Sequence, residues 1–191
     1  MNAQPHFSGG FQDAPRDAAH AFRAAMTVMA RPGEIRTLVG AEPPAPLSVA
    51  AGTLLLTLCD ADTGVYLAGA ADTPDMRQWL GFHTGAPIVE ASKADFAVGR
   101  WPELMPLNDY RIGTSEYPDR SATLIVESDA LAPKGAVLSG PGIKTTARLS
   151  LPDIAALQGN AMLYPLGCDF FFTCGDQVAA LPRSTQIQAE G

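Results

Sequence analysis

The fold class follows from residues 48–85, which read SVAAGTLLLTLCDADTGVYLAGAADTPDMRQWLGFHTG. Ser48 suits the N-cap of the apolar helix that comes next, because its hydroxyl can accept a backbone hydrogen bond. Residues 60–64 have the Asp, Thr and Gly content of a turn, and the short run 65–68 is typical of a strand. Thr73 and the proline after it then mark the start of a second helix. Helix, strand and helix in succession predict a sheet with helices packed against it.

The segment on the N-terminal side predicts a further helix. Residues 17–30 place Phe22, Met26 and Met29 on one helical face, at i, i+4 and i+7. The Pro and Gly at 32–33 oppose continuation, so we expect the helix to end there.

The C-terminal half is richer in β-type pattern. Beyond residue 87, short apolar runs separated by turn residues predict several strands, and helical periodicity returns at 152–163. We predict a single α/β domain with a mixed sheet over residues 13–191, preceded by a flexible N-terminal arm at 1–12.

Charge and composition argue against two classes of partner. The 191 residues carry a net charge of −7 and no run of basic residues, whereas nucleic-acid binding needs clustered Lys and Arg. The longest apolar stretch, 49–59, is about half of the ~20 residues that a membrane-spanning helix needs. Only 17% of the residues are charged, which leaves apolar surface for a protein partner.

The N-terminus and the cysteines indicate an intracellular chain. The start MNAQPHFSGGFQD has neither the basic beginning nor the apolar centre of a signal peptide. Cys59, Cys168 and Cys174 are odd in number and form no Cys-x-x-Cys pair, so neither a disulfide framework nor a zinc site is predicted. We predict a cytoplasmic location.

The glycine-rich stretch 138–143, LSGPGI, has two interpretations. Its backbone N–H groups could hold a phosphate, although it matches neither the P-loop nor the dinucleotide-binding spacing. The alternative is a tight turn between two strands, which the conformational freedom of glycine favours.

The candidate polar residues are ambiguous in the same way. His83 could be a general base, or could serve the last turn of its helix through hydrogen bonding and the helix dipole. Asp60 and Asp62 could offer carboxylate oxygens, but they fail the EF-hand spacing and suit a turn. Arg183 could bind an anion through paired hydrogen bonds or lie at a surface edge. No nucleophile elbow is present, so the residues alone predict no catalytic group, no metal and no cofactor.

Read in order, short segments along most of the chain resemble the PhnH family, a subunit of the bacterial carbon–phosphorus lyase system. The matching pieces are residues 22–23, 29–33, 56–63, 82–85, 94–97, 121–124, 138–143, 165–169 and 181–185. Each piece alone is weak, and their shared order over residues 13–187 makes the resemblance specific.

The resemblance implies a homodimer with a three-layer α/β/α fold similar to PLP-dependent transferases but without the cofactor. It implies partnership with the G, I and J subunits in organic phosphonate catabolism. That assembly forms ribose 1-phosphonate 5-triphosphate from a nucleoside triphosphate and a phosphonate. Among the matching positions, Arg31, His83 and Arg183 are candidate anion or ligand contacts, which Asp60 and Asp62 could orient.

Three functions therefore compete. The first is a subunit that supports the assembly without being catalytic alone. The second is an independent enzyme that acts on a phosphonate or nucleotide in a cleft at the dimer interface. The third, a PLP enzyme, rests on fold analogy and would need Lys93, Lys134 or Lys144 as the Schiff-base lysine.

Overall fold

The computed structural model describes residues 8–190. The helices are α1 (Ala14–Ala30), α2 (Val49–Leu58), α3 (Pro74–Thr84), α4 (Trp101–Leu104) and α5 (Ile154–Ala161). The strands are β1 (Arg36–Thr37), β2 (Val65–Leu67), β3 (Phe96–Arg100), β4 (Thr123–Glu127), β5 (Ala136–Ser139), β6 (Ala147–Leu149), β7 (Asp169–Cys174), β8 (Gln177–Leu181) and β9 (Gln186–Gln188). Within this part of the chain, no helix is both long enough and apolar enough to cross a bilayer.

Six strands form the central sheet, in the order β1-β8-β7-β4-β3-β2. The strands β2, β3, β4 and β7 run parallel, whereas β8 and β1 are antiparallel to their neighbours. A second, antiparallel sheet has the order β6-β5-β9. The predicted α/β class and mixed sheet are confirmed.

The side chains of the central sheet alternate between two apolar layers, because neighbouring residues of a strand point to opposite faces. Phe171 packs on the first face, which α1, α2 and α3 cover. Its neighbours Phe170 and Phe172 pack on the second face, under α4, α5 and the second sheet. The second outer layer therefore differs from the helical layer that the resemblance implies, since three short strands make up part of it.

The buried face of α1 differs from the apolar face read from the sequence. Ala21, Ala25 and Val28 are buried, whereas Phe22 is 51% and Met26 is 53% exposed. Small side chains let α1 lie close to α2 and β8, which larger ones would prevent. Phe22 and Met26 consequently point away from the domain, whereas Met29 is partly buried and packs against the core.

The two connections that leave β2 and β3 cross opposite faces of the sheet. The β2–β3 connection runs through α3 on the first face. The β3–β4 connection runs through α4 and the following loop on the second face. The chain therefore leaves the carboxyl ends of β2 and β3 toward opposite faces of the sheet.

Candidate functional site

Arg183 follows β8, and its guanidinium donates hydrogen bonds to several other groups of the protein. Nε and Nη2 lie 3.1 and 2.5 Å from the two oxygens of Asp169, and the backbone N–H of Arg183 donates to the same carboxylate. Nη1 donates to the Pro118 carbonyl and Nη2 to the Ser121 hydroxyl, both at 2.5 Å. The side chain is only 13% exposed. Arg183 therefore joins the starts of β4 and β7 to the end of β8.

Arg31 lies in the turn after α1 and is open to solvent. Its side chain is 60% exposed, and its Nη1 lies 3.4 Å from a carboxylate oxygen of Glu34. Glu34 also pairs with Arg36 at 2.8 Å. The glycine-rich stretch 138–143 connects β5 to β6, as its turn interpretation predicts. Its Gly142 lies against the Ala30 carbonyl, so the two segments meet beside Arg31.

His83 holds the segment that precedes α1. Its Nε2 is 3.3 Å from the carbonyl oxygen of Ser8, which also accepts a hydrogen bond from Trp79 Nε1 at 3.1 Å. The Gly9 carbonyl accepts from the Glu42 N–H at 2.8 Å. These contacts involve the described end of the predicted arm 1–12, whose residues 1–7 lie outside the described part. His83 is thus placed in a contact between α3 and this segment.

Asp60 and Asp62 lie in the exposed turn between α2 and β2. Asp60 Oδ1 accepts hydrogen bonds from the Thr63 hydroxyl at 2.7 Å and the Asp62 N–H at 3.0 Å. The Thr63 bond, followed by the backbone bond, lowers the pKa of the Asp60 carboxyl. The geometry is that of a turn closed by an aspartate side chain.

The structure does not bring the five predicted residues together. Within residues 8–190, the one hydrogen bond between any two of them is that from the Asp62 N–H to Asp60 Oδ1 inside a single turn, and no three His, Cys, Asp or Glu side chains group as metal ligands. Burial raises the pKa of the Cys168 thiol to about 12 and raises that of Cys59 further, so both are protonated at neutral pH. A role for Arg31, His83 or Arg183 in anion binding remains a prediction.

Another polar group was missed in the sequence and lies at the carboxyl edge of the parallel strands. Arg100 ends β3 and Glu127 ends β4, and the register pairs these two residues. Glu127 Oε1 accepts the Ser48 N–H at 2.7 Å, and Arg100 Nη2 lies 2.6 Å from an oxygen of Asp129. The runs FAVGR and TLIVE each end an apolar strand in a charged residue, and this was the signal available in the sequence.

Two cavities of about 80 and 420 Å³ adjoin this polar group, and both are lined by Arg100, Glu127 and Ser128. The smaller cavity reaches the backbone at Ala70 and Gly99, between the ends of β2 and β3. The larger one extends toward Trp101 and Leu151. We call the combined space the edge cleft.

Glu127 should make stability depend on pH. Burial raises its pKa, and the hydrogen bond from Ser48 only partly opposes this. A carboxyl whose pKa is raised by folding stabilises the fold below its unfolded pKa, and this contribution is lost as pH rises through the folded pKa. Urea unfolding at pH 4, 6 and 8 should therefore show Glu127→Gln gaining stability relative to wild type as pH rises. Glu116→Gln, at an exposed position, is the matched control. A stability difference between Glu127→Gln and wild type that stays the same at every pH would contradict the assignment of this pH dependence to Glu127.

A third feature is the outer surface of α5 and the turn that follows. Met162, Leu163 and Tyr164 are 82%, 45% and 63% exposed. Leu163 borders a groove of about 460 Å³ whose other side includes Met105 and Pro106. Residues 154–168 include no charged side chain. We call this surface the α5 face.

Comparisons with known proteins identify a matching family and similar relatives. Residues 9–188 match the family PhnH, described as bacterial phosphonate metabolism protein. A Rhizobium meliloti (strain 1021) protein named "Alpha-D-ribose 1-methylphosphonate 5-triphosphate synthase subunit PhnH" is 39% identical, with all of both chains covered. A Stutzerimonas stutzeri protein named "Putative C-P lyase subunit protein HtxG" is 32% identical over 93% of this chain and 89% of the relative.

Proposed function

Since the chain belongs to the PhnH family of bacterial phosphonate metabolism proteins, we propose that it is a subunit of the assembly that forms ribose 1-phosphonate 5-triphosphate in phosphonate catabolism. The observation that carries this proposal is the 39% identity to the Rhizobium meliloti subunit over the whole of both chains. Identity at that level over full length supports a shared place in the pathway. The G, I and J subunits and a cytoplasmic location are parts of the same proposal.

The side-chain arrangement favours a supporting subunit over an independent enzyme. General acid–base or nucleophilic chemistry needs groups within hydrogen-bond reach of one another. His83 is paired with a backbone carbonyl, and Arg183 is enclosed by Asp169 and Ser121. An independent enzyme at a dimer-interface cleft is the second candidate, and the exposed guanidinium of Arg31 is what favours it.

We further propose that the chain forms a homodimer through the α5 face. A chain of net charge −7 repels its own copy, so self-association needs a region without charge. The α5 face is uncharged over residues 154–168 and presents Met162, Leu163 and Tyr164 to solvent. Burying these side chains would remove apolar surface from water, and a twofold axis would let one face serve both copies.

Charged substitutions test the dimer. Leu163→Glu should weaken dimerisation by about 30-fold or more, as loss of a central interface contact does. Phe22→Glu is the matched control, because Phe22 is similarly exposed but lies on α1. Light scattering over a concentration series measures the change. A dimer that Leu163→Glu leaves intact would refute the α5 face as its interface, and a monomeric wild type would refute the dimer.

Native mass spectrometry of the chain, alone and co-expressed with the G, I and J subunits, tests the assembly. Entry into a stable larger complex supports the subunit proposal. Absence of any complex under conditions in which G, I and J assemble would overturn it. Retained phosphonate turnover by the isolated chain would instead favour the independent enzyme.

The likeness to PLP-dependent transferases without the cofactor is also part of the proposal. Lys93, Lys134 and Lys144 are all exposed, whereas a Schiff-base lysine is activated by desolvation or a neighbouring cation. A visible absorbance band that persists when PLP-treated protein is dialysed would contradict a cofactor-free role.

A further inference from the structure

The exposed side of α1 carries two large apolar side chains that lie outside the core. Phe22 and Met26 are 51% and 53% exposed, and because they are four residues apart they are neighbours on one side of the helix. The stripe that they form runs toward Ala30, the last residue of α1. Phenylalanine and methionine are enriched in the centres of protein interfaces, so the stripe offers an apolar centre to a partner.

Basic residues of two segments meet where this stripe ends. The Ala30 carbonyl lies against Gly142, so the turn after α1 packs on the β5–β6 connection. Residues 18–33 and 140–152 contain no Asp or Glu. Their Lys and Arg side chains are all exposed, and these are Arg23, Arg31, Lys144 and Arg148. We call these four side chains, together with the stripe, the α1 face.

The charge of the α1 face is opposite to that of the rest of the chain. The whole chain carries −7 and the four basic side chains carry +4, so the remaining residues carry −11. Two carboxylates offset part of the positive charge, since Glu34 lies 3.4 Å from Arg31 and Glu190 pairs with Arg148. Both pairs are exposed, and exposed pairs contribute little to stability. Carboxylates of a partner can therefore replace them at low cost.

A protein with an acidic surface fits this face better than a nucleic acid, a membrane or a second copy of the chain. Nucleic acids and anionic membranes extend beyond the face and would meet the negative charge that surrounds it, which acts over a Debye length of about 10 Å at 0.1 M salt. A twofold dimer would place two basic faces against each other. A head-to-tail contact between copies would build rings or filaments.

We propose that the α1 face is the surface by which this chain docks on another subunit of its assembly, and that the partner presents acidic side chains around an apolar centre. Phe22 and Met26 are buried at the middle of this contact, and the four basic side chains pair with carboxylates at its rim. Rim charges of this kind steer association and fix orientation. The inference rests on the proposed subunit function and leaves the α5 face free for the homodimer.

Binding of the purified chain to an assembly of the G, I and J subunits, measured by biolayer interferometry, tests the apolar centre. Phe22→Glu should weaken binding by about 30-fold or more, as loss of a central interface contact does. Phe82→Glu is the matched control and should bind as wild type does, because Phe82 is 58% exposed but lies on α3. Met26→Glu carries the same test if thermal unfolding shows that Phe22→Glu does not fold.

The basic rim is tested by charge and by salt. Arg31→Glu should weaken binding mainly by slowing association. Raising the salt from about 0.1 to about 0.5 M should weaken wild-type binding more than binding of this variant, since salt screens exposed charges. Lys93→Glu makes the same change of charge at an exposed position just before β3 and is the control.

The outcomes separate this inference from the subunit function. If wild type, Phe22→Glu and Arg31→Glu all bind equally well, the α1 face is rejected and the subunit function stands. If wild type does not bind, both are rejected. A Phe22→Glu chain that becomes monomeric in light scattering would assign the face to a second copy and overturn the inference. Binding of the isolated chain to phosphatidylglycerol vesicles or single-stranded DNA that Arg31→Glu abolishes would overturn the protein partner.

Discussion

Arg183→Ala should lower the free energy of unfolding by about 3 kcal/mol, the low end of the range for removing one partner from a buried ion pair, because this pair is only partly buried. The substitution leaves Asp169, whose side chain is 22% exposed, without its countercharge. It also removes donors from the Pro118 carbonyl and the Ser121 hydroxyl. Urea unfolding followed by circular dichroism measures the change.

A matched exposed pair provides the control. Arg36→Ala breaks a pair with Glu34 whose side chains are 48% and 37% exposed, so its loss should cost about 0–1 kcal/mol. The double variant Arg183→Met with Asp169→Leu should recover much of the stability, because no unpaired charge remains. If Arg183→Ala costs no more than Arg36→Ala, Arg183 is not a structural contact, and its predicted role in anion binding regains support.

Gly142→Ala should destabilise the domain by about 2–4 kcal/mol, from a strained backbone and from overpacking together. Gly142 has a φ of +80°, which an alanine adopts only with strain. Its new methyl group would also overlap the Ala30 carbonyl oxygen at the end of α1. The β5–β6 connection would have to move away from the turn that holds Arg31.

The strain and the overlap can be measured separately. Gly175 has a φ of +59° in the β7–β8 turn, with open space where a side chain would start. Gly175→Ala should therefore cost only the backbone strain, about 1 kcal/mol. If urea unfolding shows that Gly142→Ala and Gly175→Ala lose the same free energy of unfolding, the β5–β6 connection is not in tight contact with the end of α1.

Local signals in the sequence predicted the helix boundaries because the relevant contacts span only a few residues. Ser48 caps α2 by accepting the Ala51 N–H, and Thr73 caps α3 by accepting the Met76 N–H. Gly85 ends α3 with a φ of +73°. Capping chemistry of this kind is encoded within one helical turn.

Long-range contacts were not predictable in the same way. Arg183 contacts Pro118 and Ser121 across more than 60 residues of sequence. The local sequence around an arginine that follows a strand does not show whether its side chain is buried or exposed to solvent. The second sheet depends on β9 pairing with β5, which no pattern within either segment specifies. The edge cleft depends on the pairing of β3 with β4, which sets Arg100 beside Glu127, and in the sequence both residues were visible only as ends of apolar strands.

The pairing of β8 with both β1 and β7 sets the order in which the domain can form during synthesis. Among residues 8–190, the one strand that pairs with β1 (Arg36–Thr37) is β8, and the N–H groups of Leu38 and Ala50 donate to carbonyls of the β7–β8 turn. The segments around α1 and α2 are synthesised first, but they cannot complete these contacts with the sheet until residues 175–181 have left the ribosome. Contacts between such distant parts of a chain slow folding, and the edge of β4 that later pairs with β7 can meanwhile pair with other chains. Fast expression should consequently favour aggregation of this protein, and slowing translation or lowering temperature should raise its soluble yield.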